Sequence, residues 1–399
     1  MFTQRVSELN RKSKECGGIK IYYIANARMP TEKAHGIQLA KMCEAFIEQG
    51  VDLELVVPRR KTSAKSIKDF YDLRVDVPVA KLGIIDWYVR GRVGFFIASF
   101  SFAVRYFFYL LKKRLQGERF IIYMTDIDQF SFFLIPFLGV SYFCEIHDAK
   151  PRRVAFRLLF NYADGIIVIN EIIKRGLMET FGIASRCMIV HSNGIDLGMY
   201  AHVPLKQEAR YALGIPAEKK IVLYVGGFYE WKGLNDVIEA LRYTGEDEAF
   251  YFVGGSREEL MRATGESDIP DSVRCVGHKP FIEVPMWLAA ADLLLVLGTK
   301  KNQYSYLHTS PMKSFEYMAS GVPILASATP ANREILSDKD ALMYEPDSAR
   351  DLAGKISYAF SHADEMKKRA DHAREKVKQF SWDKRVESIL RFMKNNICE

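Results

Sequence analysis

Short apolar runs alternate along this chain with longer stretches in which apolar residues recur every three or four positions, the pattern of strands followed by amphipathic helices. Residues 19–25 (IKIYYIA) predict a buried strand. After Lys33, the spacing of Leu39, Cys43, Phe46 and Ile47 predicts a helix that Gly50 stops, and residues 51–57 (VDLELVV) supply the next strand. Such a strand, helix, strand unit implies a parallel pair joined by a right-handed crossover. Residues 120–124, 140–146 and 165–169 extend the alternation to residue 192, and residues 221–225, 249–253, 272–276, 292–297 and 322–326 repeat it. The expected fold class is therefore α/β, with two doubly wound Rossmann-like domains of similar size. Their boundary is expected in the polar stretch 193–216, punctuated by Gly194, Gly198, Pro204, Gly214 and Pro216, giving an N-terminal domain 1–200 and a C-terminal domain 201–375.

Residues 93–111 (VGFFIASFSFAVRYFFYLL) are apolar and long enough to cross a bilayer. Arg105, the Ser99 and Ser101 interruptions and the α/β pattern on both sides favour a buried core helix, with an interfacial helix as the alternative. The chain is 49% apolar, which suits a large core and excludes the disordered and fibrous classes. Its six cysteines (Cys16, Cys43, Cys144, Cys187, Cys275, Cys398) form no Cys-x-x-Cys pair and no His stands at metal-ligand spacing, so neither a disulfide framework nor a zinc site is expected. The first sixteen residues are polar and lack the apolar centre of a secretion signal, so the expected location is the cytoplasm. Charge refines this picture, because residues 1–200 carry 29 Lys/Arg against 20 Asp/Glu, whereas residues 201–399 carry 27 against 29. Basic clusters at Arg59-Arg60-Lys61, Arg90 with Arg92, Lys112-Lys113-Arg114, and Lys150 with Arg152-Arg153 suit solvated loops and helix ends, or a peripheral contact with anionic membrane at the cytoplasmic face. No zinc-finger, RNP-like or basic-zipper pattern accompanies the charge, so nucleic acid is not an expected partner.

In open parallel sheets, ligands bind beyond the carboxyl ends of the strands. Residues 221–241 (IVLYVGGFYEWKGLNDVIEAL) put Gly226, Gly227 and Lys232 there, ahead of a helix expected to bury Leu234, Val237, Ile238 and Leu241. The glycines let a ligand approach the backbone and Lys232 adds a full charge, as a phosphate-binding turn requires; an ordinary strand-to-helix turn has the same outline. The turn is neither a Walker loop nor a Gly-x-Gly-x-x-Gly turn. Residues 310–321 (SPMKSFEYMASG) predict a second helix, with Ser310 as N-cap and Pro311 at the first position, leaving the Met312 and Lys313 amides for an anion. Met312, Phe315 and Ala319 form its expected buried stripe. Glu316 lies at the edge of that stripe, where a carboxylate either accepts vicinal ribose hydroxyls or pairs with Lys313. His147 follows a strand, where a lone histidine is more often structural than chemical. Asp126 and Asp128 admit a metal reading, set aside because positive groups already face the anion site, so no metal is expected.

In this order the motifs resemble the retaining GT-B glycosyltransferases of glycosyltransferase family 4, also called glycosyl transferases group 1, over nearly the whole chain. VGGFYEWKGL resembles the family's Gly-x(5)-Lys-Gly phosphate turn, and SPMKSFEYMASGVPILAS resembles its nucleotide-binding helix, with Glu316 at the ribose carboxylate. HSNGIDLGMY resembles the interdomain segment, with Asn193, Gly194 and Asp196 matching, and VRCVGHKPFIEVPMWLAAADLLLV resembles the stretch whose backbone, here at His278, sits near the base. Phe380-Ser381-Trp382 resembles the start of the last helix, which in the family crosses back onto the N-terminal domain, so residues 376–399 form a third segment.

The resemblance implies two domains facing across a cleft, with a nucleoside diphosphate sugar of UDP or GDP type as donor. Gly226, Gly227, Lys232, His278, His308, Pro311, Met312, Lys313 and Glu316 would hold that donor, and Gly36 and His147 would lie on the acceptor side. A helix-start glycine would look the same as Gly36. Catalytic roles fall to His147, Lys232 and Glu316, without cofactor or metal. The implied reaction is retaining hexosyl transfer to a glycan or lipid-linked acceptor in cell-surface polysaccharide or glycolipid synthesis. Two positions depart from the pattern: His308 stands where the family often has the first of two glutamates, and Gly227 where many members have an arginine that shares the diphosphate with the lysine. These departures keep two rivals in view, a nucleotide-sugar epimerase or hydrolase of the same architecture and a non-catalytic nucleotide-sugar-binding protein.

Overall fold

The computed structural model describes residues 20–31, 33–61, 66–88, 90–125, 128, 130–308 and 312–397. The first sixteen residues, Asp126, Ser310, Pro311 and Cys398 lie outside them. The chain divides into two compact units, one running to Ser192 and resuming at Trp382, the other Asn193–Ser381. The first junction falls eight residues before the boundary expected at 200/201, and the second six residues after the one expected at 375/376.

In the first unit, strands β1 (Lys20–Ala25), β2 (Leu53–Pro58), β3 (Val79–Leu82), β4 (Phe120–Thr125), β5 (Tyr142–Ile146), β6 (Gly165–Val168) and β7 (Met188–Val190) form one sheet in the order β3-β2-β1-β4-β5-β6-β7. All its pairs are parallel. Successive side chains of β1 point to opposite faces. Tyr22 and Ile24 join Phe102, Tyr106 and Leu110 of the helix Gly91–Leu115, while Tyr23 meets Phe46 of the helix Ala34–Glu48 edge-on. Covered on both faces, the strand reads as a continuous apolar run. The helix Ala34–Glu48 buries Leu39, Cys43 and Phe46 as their spacing predicts, and Gly50 (φ 81) turns the chain after it. The helix Trp382–Ile397 packs on that helix and on β6 through Val386, Ile389, Phe392 and Met393. Gly165 makes room for it, since a Cβ there would lie 2.5 Å from the Phe392 ring.

The second unit holds β8 (Lys220–Val225), β9 (Glu248–Val253), β10 (Val273–Cys275), β11 (Leu293–Val296), β12 (Ile324–Ser327) and β13 (Leu342–Tyr344), in the order β10-β9-β8-β11-β12-β13 and again parallel throughout. Ile221, Leu223 and Val225 pack with Leu288 and Phe315 on one face. Val222 and Tyr224 pack with Leu234, Val237 and Leu352 on the other.

Three strands are additional to those the hydrophobic pattern predicts: β3, β7 and β13, each of three or four residues at a sheet edge. The expected core helix is also longer than its apolar run and is buried on one face only. Gly94, Ala98, Ser99, Phe102, Ala103, Tyr106 and Leu110 are buried, whereas Val93, Phe96, Phe100, Phe108 and Leu115 are exposed.

Candidate functional site

The chain order of the second sheet reverses between β8 and β11, where a doubly wound sheet opens a crevice beyond its strand ends. β8 runs into Gly226 at φ 144, a backbone region that side chains disfavour. A Cβ on Gly254 would lie 2.7 Å from the Gly226 carbonyl, so the ends of β8 and β9 approach as closely as glycine allows. The sequence reading passed over Gly254; its signal was a Gly-Gly pair after a strand, as at Gly226-Gly227. Beyond Gly227 come a 3-10 turn, Glu230–Lys232, then Gly233 (φ 78), then the helix Leu234–Ala240. Lys232 Nζ sits 4.0 Å from the centre of the Trp231 ring, which stacks on Tyr229 at 5.7 Å and meets Tyr304 edge-on at 5.2 Å.

The helix Met312–Ser320 is buried almost all round, from Ser314 to Ala319, rather than along a single stripe. It is tied to the end of β8 by the Val225 amide, which donates to Tyr317 Oη at 2.9 Å. That register brings the Lys313 side chain, and not only its amide, to the turn. A Cβ on Gly226 would fall on the Lys313 ammonium, which also lies 4.7 Å from the centre of the Tyr224 ring. Lys313 thus stands at the start of the turn that carries Lys232, and its charge is felt there. Burial lowers the Lys232 pKa well below its ordinary value, and the Lys313 charge lowers it further. Burial likewise lowers Lys313, against the opposing pull of Glu316, and raises Glu316, against the opposing pull of Lys313. Glu316 itself is 8% exposed. Two lysines face one carboxylate, and burial disfavours the charged form of each lysine, so an anion entering the site would favour both charges.

His308 closes a turn of π-helix, Tyr304–His308, a form common at functional sites. Pro311 falls outside the described residues, so the helix start expected at Ser310 and Pro311 does too. His278 follows β10 and is mostly exposed, 3.5 Å from Glu259. Beside the lysine turn, Trp231, Gly233, Asn235, Asp236, Thr299 and Asp347 are among the residues lining a cavity of 310 Å³. Asp236 there is raised from 3.8 to about 6, first by burial and then by Asp347. A carboxyl raised on folding lowers stability where it is ionised and regains it as pH falls through the raised value. Asp236→Asn is therefore expected to melt above wild type at neutral pH, with the gap closing toward pH 3.8. Equal melting temperatures at neutral pH would remove that assignment.

In the first unit, His147 follows β5 and its Nε2 lies 2.6 Å from Glu145 Oε1. Glu145 is fully buried and also accepts from Gln38 Nε2 at 2.7 Å, from Tyr123 Oη and from Arg385 Nη2. Burial alone would raise the Glu145 carboxyl, but the Arg385 charge and the His147 and Tyr123 hydrogen bonds hold it far below the usual carboxylate range. The ionised carboxylate favours a proton on the Nε2 that faces it, while the Gln38 side-chain nitrogen lies 3.1 Å from the same ring nitrogen. Neither Glu145 nor Arg385 was picked out from sequence. The available signal was a single arginine inside the apolar stripe of the last helix, between Trp382 and Val386. Gly36 lies in the helix Ala34–Glu48, and a Cβ there would collide with the Tyr71 hydroxyl and with Thr31, so packing alone already requires glycine. Of the two aspartates of the metal reading, Asp128 accepts from the Phe130 and Ser131 amides at 2.7 and 2.8 Å.

A family model described as Glycosyl transferases group 1 matches residues 206–394. A D-inositol 3-phosphate glycosyltransferase of Corynebacterium aurimucosum is 26% identical over 249 residues, 59% of this chain and 58% of that protein. The alpha-monoglucosyldiacylglycerol synthase of Streptococcus pneumoniae is 28% identical over 231 residues, 54% of this chain and 49% of that protein. The chain thus spans about half the length of the curated relatives it matches. Among solved structures, Anabaena Alr3699/HepE in complex with UDP-glucose is similar with a TM-score of 0.69 at 18% identity, over 94% of this chain and 99% of that one, a likeness of fold. Residues 206–394 thus match the glycosyl transferases group 1 family, and the two parallel α/β sheets have the GT-B fold.

Proposed function

We propose that this protein is a retaining, metal-independent glycosyltransferase. It moves a hexosyl group from a nucleoside diphosphate sugar bound by the second unit to a glycan or lipid-linked acceptor bound by the basic first unit. The observation that carries the reading is the Lys313 ammonium held against Gly226, at the start of the turn that carries Lys232 and electrostatically coupled to it. As the bond between the sugar C1 and the β-phosphate oxygen breaks, negative charge grows on that oxygen, and the two ammoniums with the Met312 and Lys313 amides are the groups that meet it. Glu316 accepts the ribose hydroxyls, and His147, oriented by Glu145, belongs to the acceptor side. The similarity to a protein solved with UDP-glucose supports a UDP-type donor. The similarity to a diacylglycerol-glycolipid synthase and to an inositol phosphate glycosyltransferase supports a role in glycolipid or cell-surface polysaccharide synthesis.

The donor site also predicts its own pH dependence. Binding needs Glu316 ionised and Lys313 protonated, yet burial moves the two pKa values toward each other. Affinity for a nucleoside diphosphate sugar, whose diphosphate diester has no ionisation of its own near neutrality, should therefore peak in a narrow window. It should fall on the acid side as Glu316 takes up a proton and on the alkaline side as Lys313 and Lys232 release theirs. Glu316→Gln should remove the acid limb and weaken binding by about 1.5–3 kcal/mol, roughly 10- to 150-fold, the range for a hydrogen bond to a charged group. Calorimetry from about pH 5 to about pH 10 tests this, with and without EDTA. An unchanged affinity in Glu316→Gln would refute the ribose assignment, and loss of binding on adding EDTA would refute metal independence.

A further inference from the structure

We propose that the outer face of the helix Gly91–Leu115 is a docking surface for an anionic phospholipid bilayer, on which the first unit lies without crossing it. At about 100° per residue, Val93, Phe96, Phe100, Val104, Phe108, Leu111 and Leu115 fall on one stripe about 33 Å long. Five of the seven are exposed, Val93 at 70%, Phe108 at 62% and Leu115 at 79%. The helix is thus apolar on both sides, although the solvent side of a helix covering a sheet is ordinarily polar. The opposite face is committed to the core: Phe102, Tyr106 and Leu110 pack on the sheet, and Ser99 Oγ receives Asn26 Nδ2 at 3.1 Å. Spanning would tear that face from its partners, whereas lying flat leaves it intact.

The surroundings extend the stripe. Phe100 stacks on Phe133 at 5.8 Å, Phe96 meets Phe130 at 5.0 Å, and exposed Phe137, Ile85, Trp87 and Tyr88 continue the apolar area. Trp and Tyr at one end are the residues favoured at a headgroup boundary. The charges select the occupant. The helix carries Arg92, Arg105, Lys112, Lys113 and Arg114 and no acidic residue, and Arg90 precedes it. A second copy docked antiparallel by a two-fold axis would bring Arg90 and Arg92 against Lys112 and Arg114, like charge against like, whereas anionic headgroups neutralise both ends.

Sedimentation of the full chain with phosphatidylcholine vesicles, and with vesicles of equal phosphatidylcholine and phosphatidylglycerol, tests the proposal. Binding to the anionic vesicles is expected, weakening as salt is raised. Phe96→Ser/Phe100→Ser/Phe108→Ser should reduce it at least about tenfold, since each substitution removes inserted apolar surface. Arg105→Gln/Lys112→Gln/Lys113→Gln should flatten the salt dependence. If the triple Phe variant fails to fold by circular dichroism, Phe108→Ser alone, at an exposed position, serves as the apolar test. No binding to anionic vesicles, binding indifferent to both sets of substitutions, or a dimer in solution abolished by the Phe substitutions would each overturn the proposal, the last by assigning the face to a second copy. Donor binding in the second unit is measured separately, so failure here leaves the transferase reading standing.

Discussion

Lys313→Ala is expected to slow departure of the nucleoside diphosphate about 100-fold or more, and Lys232→Ala by a similar factor, the usual loss when one preorganised donor to a developing anion is removed. A factor of 100 corresponds to about 2.7 kcal/mol of transition-state stabilisation. The effect belongs in kcat as well as in donor affinity, because the charge that the lysines meet is largest after the C1–oxygen bond has stretched. Lys313→Arg should not rescue, because the space left by the missing Cβ of Gly226 is taken by an ammonium, and a guanidinium overruns it. Gly226→Ala should reproduce the loss from the other side, since its methyl occupies the ammonium's position at a φ of 144 that alanine rarely adopts. Release of nucleoside diphosphate, with water as the acceptor, is the measurement. Rates within a few-fold of wild type in a folded Lys313→Ala protein would sink the role given to its side chain.

That side chain marks the limit of what the sequence conveyed. The Gly226 turn, Lys232 and Glu316 were legible because each stands at a fixed distance from a strand end or along a helix, and local periodicity places it. With Gly227 in place of an arginine, the turn read as one cation short. The cation that meets the turn at Gly226 is 87 residues away along the chain, and its approach accompanies the hydrogen bond between Tyr317 and β8, which no local pattern encodes. Fold legibility divided in the same way. β1 and β8 read plainly because helices cover both faces and force continuous apolar runs. β3, a half-exposed VAKL, and β7 and β13, three residues each, carry too few alternations to be told from loop. In Gly91–Leu115, composition announced burial, but only the packing distinguished the face that is buried from the face that is not.

Arg385→Met is expected to cost the first unit about 3–5 kcal/mol of stability, the range for breaking a buried ion pair and leaving its partner charged and uncompensated. Arg385 and Glu145 are both fully buried, and Arg385 Nη1 also donates to the carbonyls of His191 and Ser192 at 2.6 and 2.9 Å, so the last helix is pinned at β5 and at the exit of the first unit at once. Two units need not unfold together, so the reading must be local. In a Trp231→Phe/Trp287→Phe background the remaining tryptophans, Trp87 and Trp382, both report on the first unit. Their fluorescence transition in urea should move to lower denaturant in Arg385→Met, while nucleotide binding by the second unit, measured with Trp231 and Trp287 in place, is retained. Replacing the pair together, Arg385→Met/Glu145→Leu, should recover a large part of the loss, because no buried charge is then stranded. The acid limb separates the pair from simple packing. The Glu145 pKa is depressed in the folded state, so its stabilisation is complete above the unfolded carboxyl value of 4.5 and is lost as pH falls below it. The wild-type transition should therefore weaken steeply in acid and that of the double variant less so. A single Arg385→Met variant with the wild-type midpoint and the wild-type acid limb would mean that Glu145 is not held by this arginine, and the orientation of His147 would need another source.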